Sequence, residues 1–266
     1  MSLFWTFSRQ AFFKISAYRA NFWTEMFTLF VQIFVVKTLW SVLYKQAPSI
    51  FGNISLSQMI TYGVISIVMG IVLSTDEGPH QYITTQVKTG MIANDLLKPI
   101  SFPAHMLLRS TGDTIARTIF YVLPPLVVAY LILDLQIPAS IQQAALFLLS
   151  LILSYLVLFF CNFLFGLIVF KTQDLIGFMF TYWALLRFLS GQLVPIWLYP
   201  DWLKSLVYAL PFQAIFYTPL AIYIGKVNGA AIVQAISIQA LWVVALYLLS
   251  LWVWSRVHRY LTVQGG

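Results

Sequence analysis

The sequence predicts an all-α polytopic membrane protein with six transmembrane helices, an N-terminal amphipathic interfacial helix and a re-entrant helical hairpin between spans 5 and 6. Three observations predict it. Of 266 residues, 61% are hydrophobic and only 9% are charged, whereas a soluble domain is about 25% charged. The apolar stretches are long enough to cross a hydrocarbon core about 30 Å thick, which takes roughly 20 residues of helix. They also lack the alternation of barrel strands about ten residues long. Backbone amides find no partners in hydrocarbon, so helices remain as the spanning form.

Residues 1–20 read as an amphipathic connecting helix. Phe4, Phe7, Ala11, Ile15, Tyr18 and Phe22 recur at steps of three and four, the helical period. Arg9, Gln10 and Ser16 fall opposite, and Lys14 and Arg19 flank the stripe. Such a helix lies in the headgroup region with its bases near anionic lipid. Phe13 interrupts the pattern, and an N-terminal extension of the first span is the other reading. The segment lacks a short apolar core followed by a small-residue cleavage site, so it is expected to stay in the mature chain.

Residues 21–266 make up the six-span domain. Span 1 covers about 21–44 and ends at the turn cluster Ala47-Pro48-Ser49 and Gly52-Asn53. Span 2 covers about 57–75. The polar connection 76–102 follows, with Gly78-Pro79 at its start and Lys98-Pro99 near its end. Span 3 covers about 103–133, span 4 about 141–170, and span 5 about 175–190. Span 6 covers about 230–254.

Between spans 5 and 6, residues 191–229 are apolar but broken by Pro195, Pro200, Pro211 and Pro219. Proline removes a helix hydrogen bond and clashes with the preceding turn, so this region cannot be one straight span. Asp201 can cap a short helix and Pro211 can open another. Two short helices that enter the membrane and return fit the pattern. Irregular backbone at that depth must be buried in protein or line water.

Orientation follows from the bases in the connections. With the N-terminus inside, the inner side holds Arg9, Lys14, Arg19, Lys88, Lys98, Arg109, Lys171, Arg256 and Arg259. The outer side holds Lys45, Lys204 and Lys226. Both termini are therefore expected in the cytoplasm. The net charge of +7 is read as topology, not as nucleic-acid binding.

Several chemistries are excluded. The single Cys161 allows neither an intrachain disulfide nor a cysteine metal cluster. The phosphate-cradling G-x-x-x-x-G-K-[ST] loop is missing: Gly225-Lys226 is followed by valine and lacks the earlier glycine. The chain is expected not to hydrolyse ATP by itself. His80, His105 and His258 are scattered, and no G-x-S-x-G or H-E-x-x-H occurs.

Arg109, Asp113 and Arg117 stand at i, i+4 and i+8 on one helix face. They are either a polar ladder at the mouth of a translocation path or an interfacial ladder with snorkelling arginines. Pro124-Pro125 in span 3 is either a hinge or a packing bend. Glu25 and Lys37 can reach the two interfaces from span 1. Arg187, about 20 Å along span 5 from Asp174, needs a partner or water and is the strongest intramembrane functional candidate.

Three stretches carry a resemblance. They are Gly90-Met91-Ile92-Ala93-Asn94-Asp95-Leu96-Leu97-Lys98-Pro99, then Ser190-Gly191-Gln192-Leu193-Val194-Pro195 through Pro200-Asp201-Trp202-Leu203 to Leu210-Pro211-Phe212, and the tail Arg259-Tyr260-Leu261-Thr262-Val263-Gln264-Gly265-Gly266. Together they resemble the small six-span subfamily of ABC-2 (type V) ABC transporter permeases.

The resemblance implies a permease subunit of an ATP-driven exporter in the cell membrane. The ATPase-coupling loop would include Val87, Gly90, Asn94, Asp95, Leu96, Leu97, Lys98 and Pro99. Arg109, Asp113, Arg117 and Arg187 would be pathway or gating residues. Gly191, Pro195, Pro200, Asp201 and Pro211 would shape the outer re-entrant region. The chain would hold no cofactor; ATP and Mg would be bound by a separate ABC ATPase subunit, two copies per complex. A second permease chain, identical or related, would complete the path, with spans 1, 2 and 5 lining it. Cargo would be amphipathic, lipid-like, peptide or drug-like. An ion-coupled secondary transporter and a membrane-embedded enzyme are the competing classes, but no clear repeat, mid-span acid or catalytic cluster supports them.

Overall fold

The computed structural model describes residues 19–46, 48–73, 78–133, 135–172 and 174–257. The expected N-terminal amphipathic helix and the Arg259–Gly266 tail lie outside these residues, as do Asp76, Asp134 and His258. All regular structure among the described residues is helical.

Helix α1 (Arg19–Gln46) and α2 (Leu56–Leu73) are joined by the 3-10 turn Pro48–Phe51. Ser55 and Gln58 start α2 as a reciprocal capping box. The Gln58 amide donates to Ser55 Oγ (3.2 Å), and the Ser55 amide donates to Gln58 Oε1 (2.8 Å). Gly63 allows α1 to approach closely, since a Cβ there would lie 2.4 Å from Val36 Cγ1. Small residues at such crossings are the usual device of helix packing in lipid.

Two short helices follow, α3 (Pro79–Lys88) and α4 (Ile92–Leu96), separated by Gly90 at φ 72°. Then come α5 (Phe102–Arg117), a π-helical turn (Thr118–Val122) and α6 (Leu123–Leu133). The expected third span is thus divided. Pro124 and Pro125 supply no amide to the carbonyls one turn earlier, and the wide turn sits where those donors are missing.

Helix α7 (Ile141–Leu167) is the central element, with Val157, Phe163 and Leu167 buried in the main core. The Ser140 side chain caps it by accepting from the Gln143 amide. The short α8 (Val169–Thr172) and α9 (Ile176–Leu189) follow. The proline-rich region forms 3-10 turns at Ile196–Leu198 and Pro211–Ala214, with α10 (Asp201–Tyr208) and α11 (Tyr217–Tyr223). Helix α12 (Ala230–Val257) ends the described chain and packs along α7.

Among the described residues, four helices are long and apolar enough to cross a membrane: Met26–Gln46, Leu56–Leu73, Ile141–Thr172 and Ala230–Val257. The pair Asp201–Tyr208 and Pro211–Tyr223 is bent by 77° and gives a fifth if counted as one span. Leu123–Leu133 and Gly177–Leu189 are shorter apolar helices. The segments expected as spans 3 and 5 are therefore not single long apolar helices. The first half of span 3 carries the polar ladder, and α9 stops at Ser190-Gly191.

Polar side chains pin the broken region to the bundle. The fully buried Gln239 of α12 donates to the Ala214 carbonyl (2.7 Å), and Ser154 of α7 donates to the same carbonyl (3.0 Å). Ser150 Oγ donates to Gln239 Oε1 (2.8 Å). Gln143 Nε2 donates to the Ile222 carbonyl (2.6 Å), and Gln58 Nε2 to that of Ile224 (3.0 Å). Carbonyls freed by the breaks are thereby satisfied inside the protein.

Candidate functional site

Two regions bring polar side chains together, one at each end of α9. The first is built on α3, α4 and the start of α5. Helix α3 turns Pro79, His80, Ile83 and Thr84 inward. It lies so close to α7 that a Cβ at Gly166 would come within 2.7 Å of His80 Cα. The His80 ring sits beside Phe165, Tyr182 and Trp183, with centroids 6.1, 6.5 and 5.5 Å away. Among the described residues neither His80 ring nitrogen has a hydrogen-bond partner. Burial pushes the imidazole pKa down to about 4, because a charged ring there would lose its hydration.

Gly90 reverses the chain, a left-handed position suited to glycine at a helix end. The reversal carries α4 back so that Asp95 faces inward. Asp95 is only 4% exposed. Its Oδ2 accepts from the Tyr82 hydroxyl (2.8 Å) and its Oδ1 from Lys98 Nζ (2.7 Å). Lys98 Nζ also stands 3.2 Å from His105 Nε2. The Arg109 guanidinium lies over the Tyr82 ring, 4.3 Å from its centroid. A buried carboxylate thus ties two short helices to the first turns of α5.

The opposite face is apolar and open. Leu97 is 84% exposed and Met91 56%, and Leu96, Asn94, Gly90, Lys98 and Pro99 are exposed beside them. Val87 is half-buried. The loop residues therefore divide: Asp95 is part of the base, and Met91 and Leu97 form the tip. Lys88, at the end of α3, pairs with Asp174 just before α9 (2.8 Å).

Arg109 and Asp113 are half-buried on α5, and Arg117 ends that helix with its side chain outside the described residues. Arg109 reaches the base through Tyr82. The Glu25 side chain of α1 also lies outside the described residues.

The second region is a cleft of about 470 Å³ between α1, α2, α9 and the segment after α9. Its wall is mostly apolar, with Gln32, Tyr62, Ser66, Arg187 and Gln192 among the lining residues. Gly191 makes it possible. At φ 78° it turns the chain, and a Cβ there would press on Ile196, Tyr217 and Tyr62. The Tyr62 hydroxyl donates to the Gly191 carbonyl (2.7 Å), and Ser66 Oγ to that of Gln192 (2.8 Å). Arg187 is exposed and faces this cleft from the last turn of α9.

Pro195 and Pro200 flank the 3-10 turn Ile196–Leu198, and Pro211 opens the next. Asp201 begins α10 on the surface and pairs with Lys204 (3.1 Å) instead of capping the helix with its side chain.

Sequence reasoning missed Tyr82, His80, His105, Gln192 and the Lys88–Asp174 pair. Tyr82 and Asp95 are 13 positions apart and meet only because Gly90 turns the chain, so no periodicity announces them.

A sequence model of the ABC-2 family transporter proteins matches residues 22–265. No curated protein and no solved structure matches the chain significantly.

Proposed function

Because the chain belongs to the ABC-2 family of transporter proteins, we propose that it is the permease subunit of an ATP-driven exporter in the cell membrane. Its six spans are α1, α2, the divided α5–α6, α7, α9 and α12. Residues 191–229 form the outer re-entrant region, and both termini are cytoplasmic. Two such chains, identical or related, enclose the path, and two copies of a separate ABC ATPase bind ATP and Mg beneath them. The cargo class is amphipathic, lipid-like, peptide or drug-like.

The observation that carries this reading is the loop 76–102. Its exposed apolar tip, Met91 and Leu97, stands on a base locked by Asp95. A tip that must pass force to the bundle has to be rigid at its root and apolar where a partner covers it. The cleft lined by α1, α2 and α9 supports the assignment of spans 1, 2 and 5 to the pathway. Closure of the ATPase pair moves the loop only if the loop's contacts differ between the two ATPase states.

The test is co-expression with the candidate ATPase, followed by crosslinking from a Leu97→Cys variant. Cys161 lies half-buried in the apolar middle of α7, away from the aqueous tip, so the introduced thiol reacts first. The expected result is a crosslink to the ATPase and ATP-dependent efflux by the reconstituted complex. Cargo movement by the purified chain alone, driven only by an ion gradient, overturns the reading in favour of a secondary transporter.

A further inference from the structure

On the opposite side of α1 from the cleft runs a second groove of about 400 Å³, between α1 and α6. We propose that this groove binds one anionic phospholipid from the leaflet at the Lys45 end of α1. The site needs only α1 and α6 in lipid, and it does not depend on the permease reading.

The groove has two chemically distinct halves. Lys37, Ser41 and Lys45 line one half, and their spacing of four places them on one helix face. Thr38 adds a second hydroxyl. Phe30, Ile33 and Phe34 line the other half of the α1 wall, and Ala129 and Ile132 stand across on α6. Ala129 is 3% exposed, and its small side chain leaves room above the floor for a chain to lie against it.

Charge argues for the occupant. Both lysines are exposed within the groove, and among the described residues neither has an ion-pair partner. Lys37 lies about 12 Å below Lys45 along the helix axis. An ammonium at that depth is costly without an anion or water beside it. A phosphate drawn toward the Lys37–Ser41–Lys45 face supplies the charge, and two hydroxyls complete its hydrogen bonding.

Length argues the same way. From Phe30 to Lys45 the helix rises about 22 Å. One leaflet with its headgroup region is about 20–22 Å deep. The apolar half then meets acyl chain, and the basic half meets the headgroup and the glycerol below it.

The test is native mass spectrometry of the purified full chain in a non-ionic detergent. It is titrated with phosphatidylglycerol or with phosphatidylcholine of the same acyl chains. The wild type is expected to retain phosphatidylglycerol at least fivefold more strongly. A Lys37→Gln/Lys45→Gln variant is expected to lose that preference, and Lys37→Arg/Lys45→Arg to keep it. Lys204→Gln, which removes a cation outside the groove, is expected to change nothing. Ala129→Leu is expected to weaken retention of both lipids.

Equal retention of the two lipids by the wild type overturns the proposal. So does an unchanged preference in the double glutamine variant, or an equal loss in Lys204→Gln. A shift of the double variant from dimer to monomer without loss of lipid overturns it too, and assigns the face to a second copy of the chain. If the double variant does not fold, Lys45→Gln in the exposed last turn of α1 decides by the same criterion.

Discussion

Replacing Asp95 by alanine removes a carboxylate that holds three segments together without touching the exposed tip. Its two hydrogen bonds, from Tyr82 at 2.8 Å and Lys98 at 2.7 Å, both end on a charged acceptor. Bonds to charged groups contribute about 1.5–3 kcal/mol each. The Lys98 side chain is 42% exposed and rehydrates when released, so its share falls toward the surface-pair range of about 0–1 kcal/mol. The sum is about 1.5–4 kcal/mol, nearly all of it local to α4 and the first turns of α5. At about 1.4 kcal/mol per tenfold, local opening becomes roughly 10- to 700-fold more frequent. Hydrogen–deuterium exchange in nanodiscs reads this directly. Amides of residues 91–98 are expected to lose protection by that factor, while those of α7 and α12 keep theirs. Asp95→Asn is expected to lose less, because its amide oxygen still accepts from Tyr82. Unchanged exchange in Asp95→Ala, or equal loss of protection across α7, refutes the latch.

Leu97→Asp changes the tip and not the base. Its exchange pattern is expected to match wild type, while copurification with the proposed ATPase partner is expected to fall at least tenfold. His80 predicts a pH dependence. Its pKa falls from an ordinary 6.5 to about 4 on burial, so the unfolded chain binds the proton first. That stability is complete above about pH 6.5 and is lost progressively as pH falls toward 4, up to about 3 kcal/mol. Thermal melts of His80→Leu against wild type between pH 8 and 4 are expected to show this component vanish in the variant. Gly166→Ala is expected to cost about 1–3 kcal/mol, since its Cβ meets backbone at His80 Cα. Denaturation in mixed micelles measures it.

What could be read from the sequence was what periodicity and composition control. Spans 1, 2, 4 and 6 were legible because each is a long apolar run, and the proline-broken region because four prolines forbid a straight helix. The division of span 3 was half legible. Pro124-Pro125 predicted a kink, but the extent of the amphipathic α5 below it was set by packing against α2 and α7. In the loop, the motif residues were identified but not their division of labour. Asp95 reads as polar and therefore exposed. It is buried because Tyr82 and Lys98 satisfy it, and that pairing depends on a reversal at Gly90 whose exit direction no local pattern encodes. Arg187 was identified as a candidate, and its neighbours Gln192 and Ser66 were not. They converge only through the turn at Gly191.

The two polar regions are connected by α9, and the kind of connection matters. The helix begins beside Asp174 and carries Arg187 in its last turn, a rise of about 20 Å from Asp174. One contact from α3 to this element is the Lys88–Asp174 pair, whose side chains are 40% and 49% exposed. A pair so wet holds less than about 1 kcal/mol and yields before the helix moves. Another contact is the His80 ring against Tyr182 and Trp183, packed where α3 is already pressed onto α7 at Gly166. Close-packed interiors transmit displacement because they have no slack. On the proposed coupling, a push on the Met91–Leu97 tip would reach the cleft through the Asp95 base, α3 and the aromatic face of α9, and the surface ion pair would follow that motion instead of driving it.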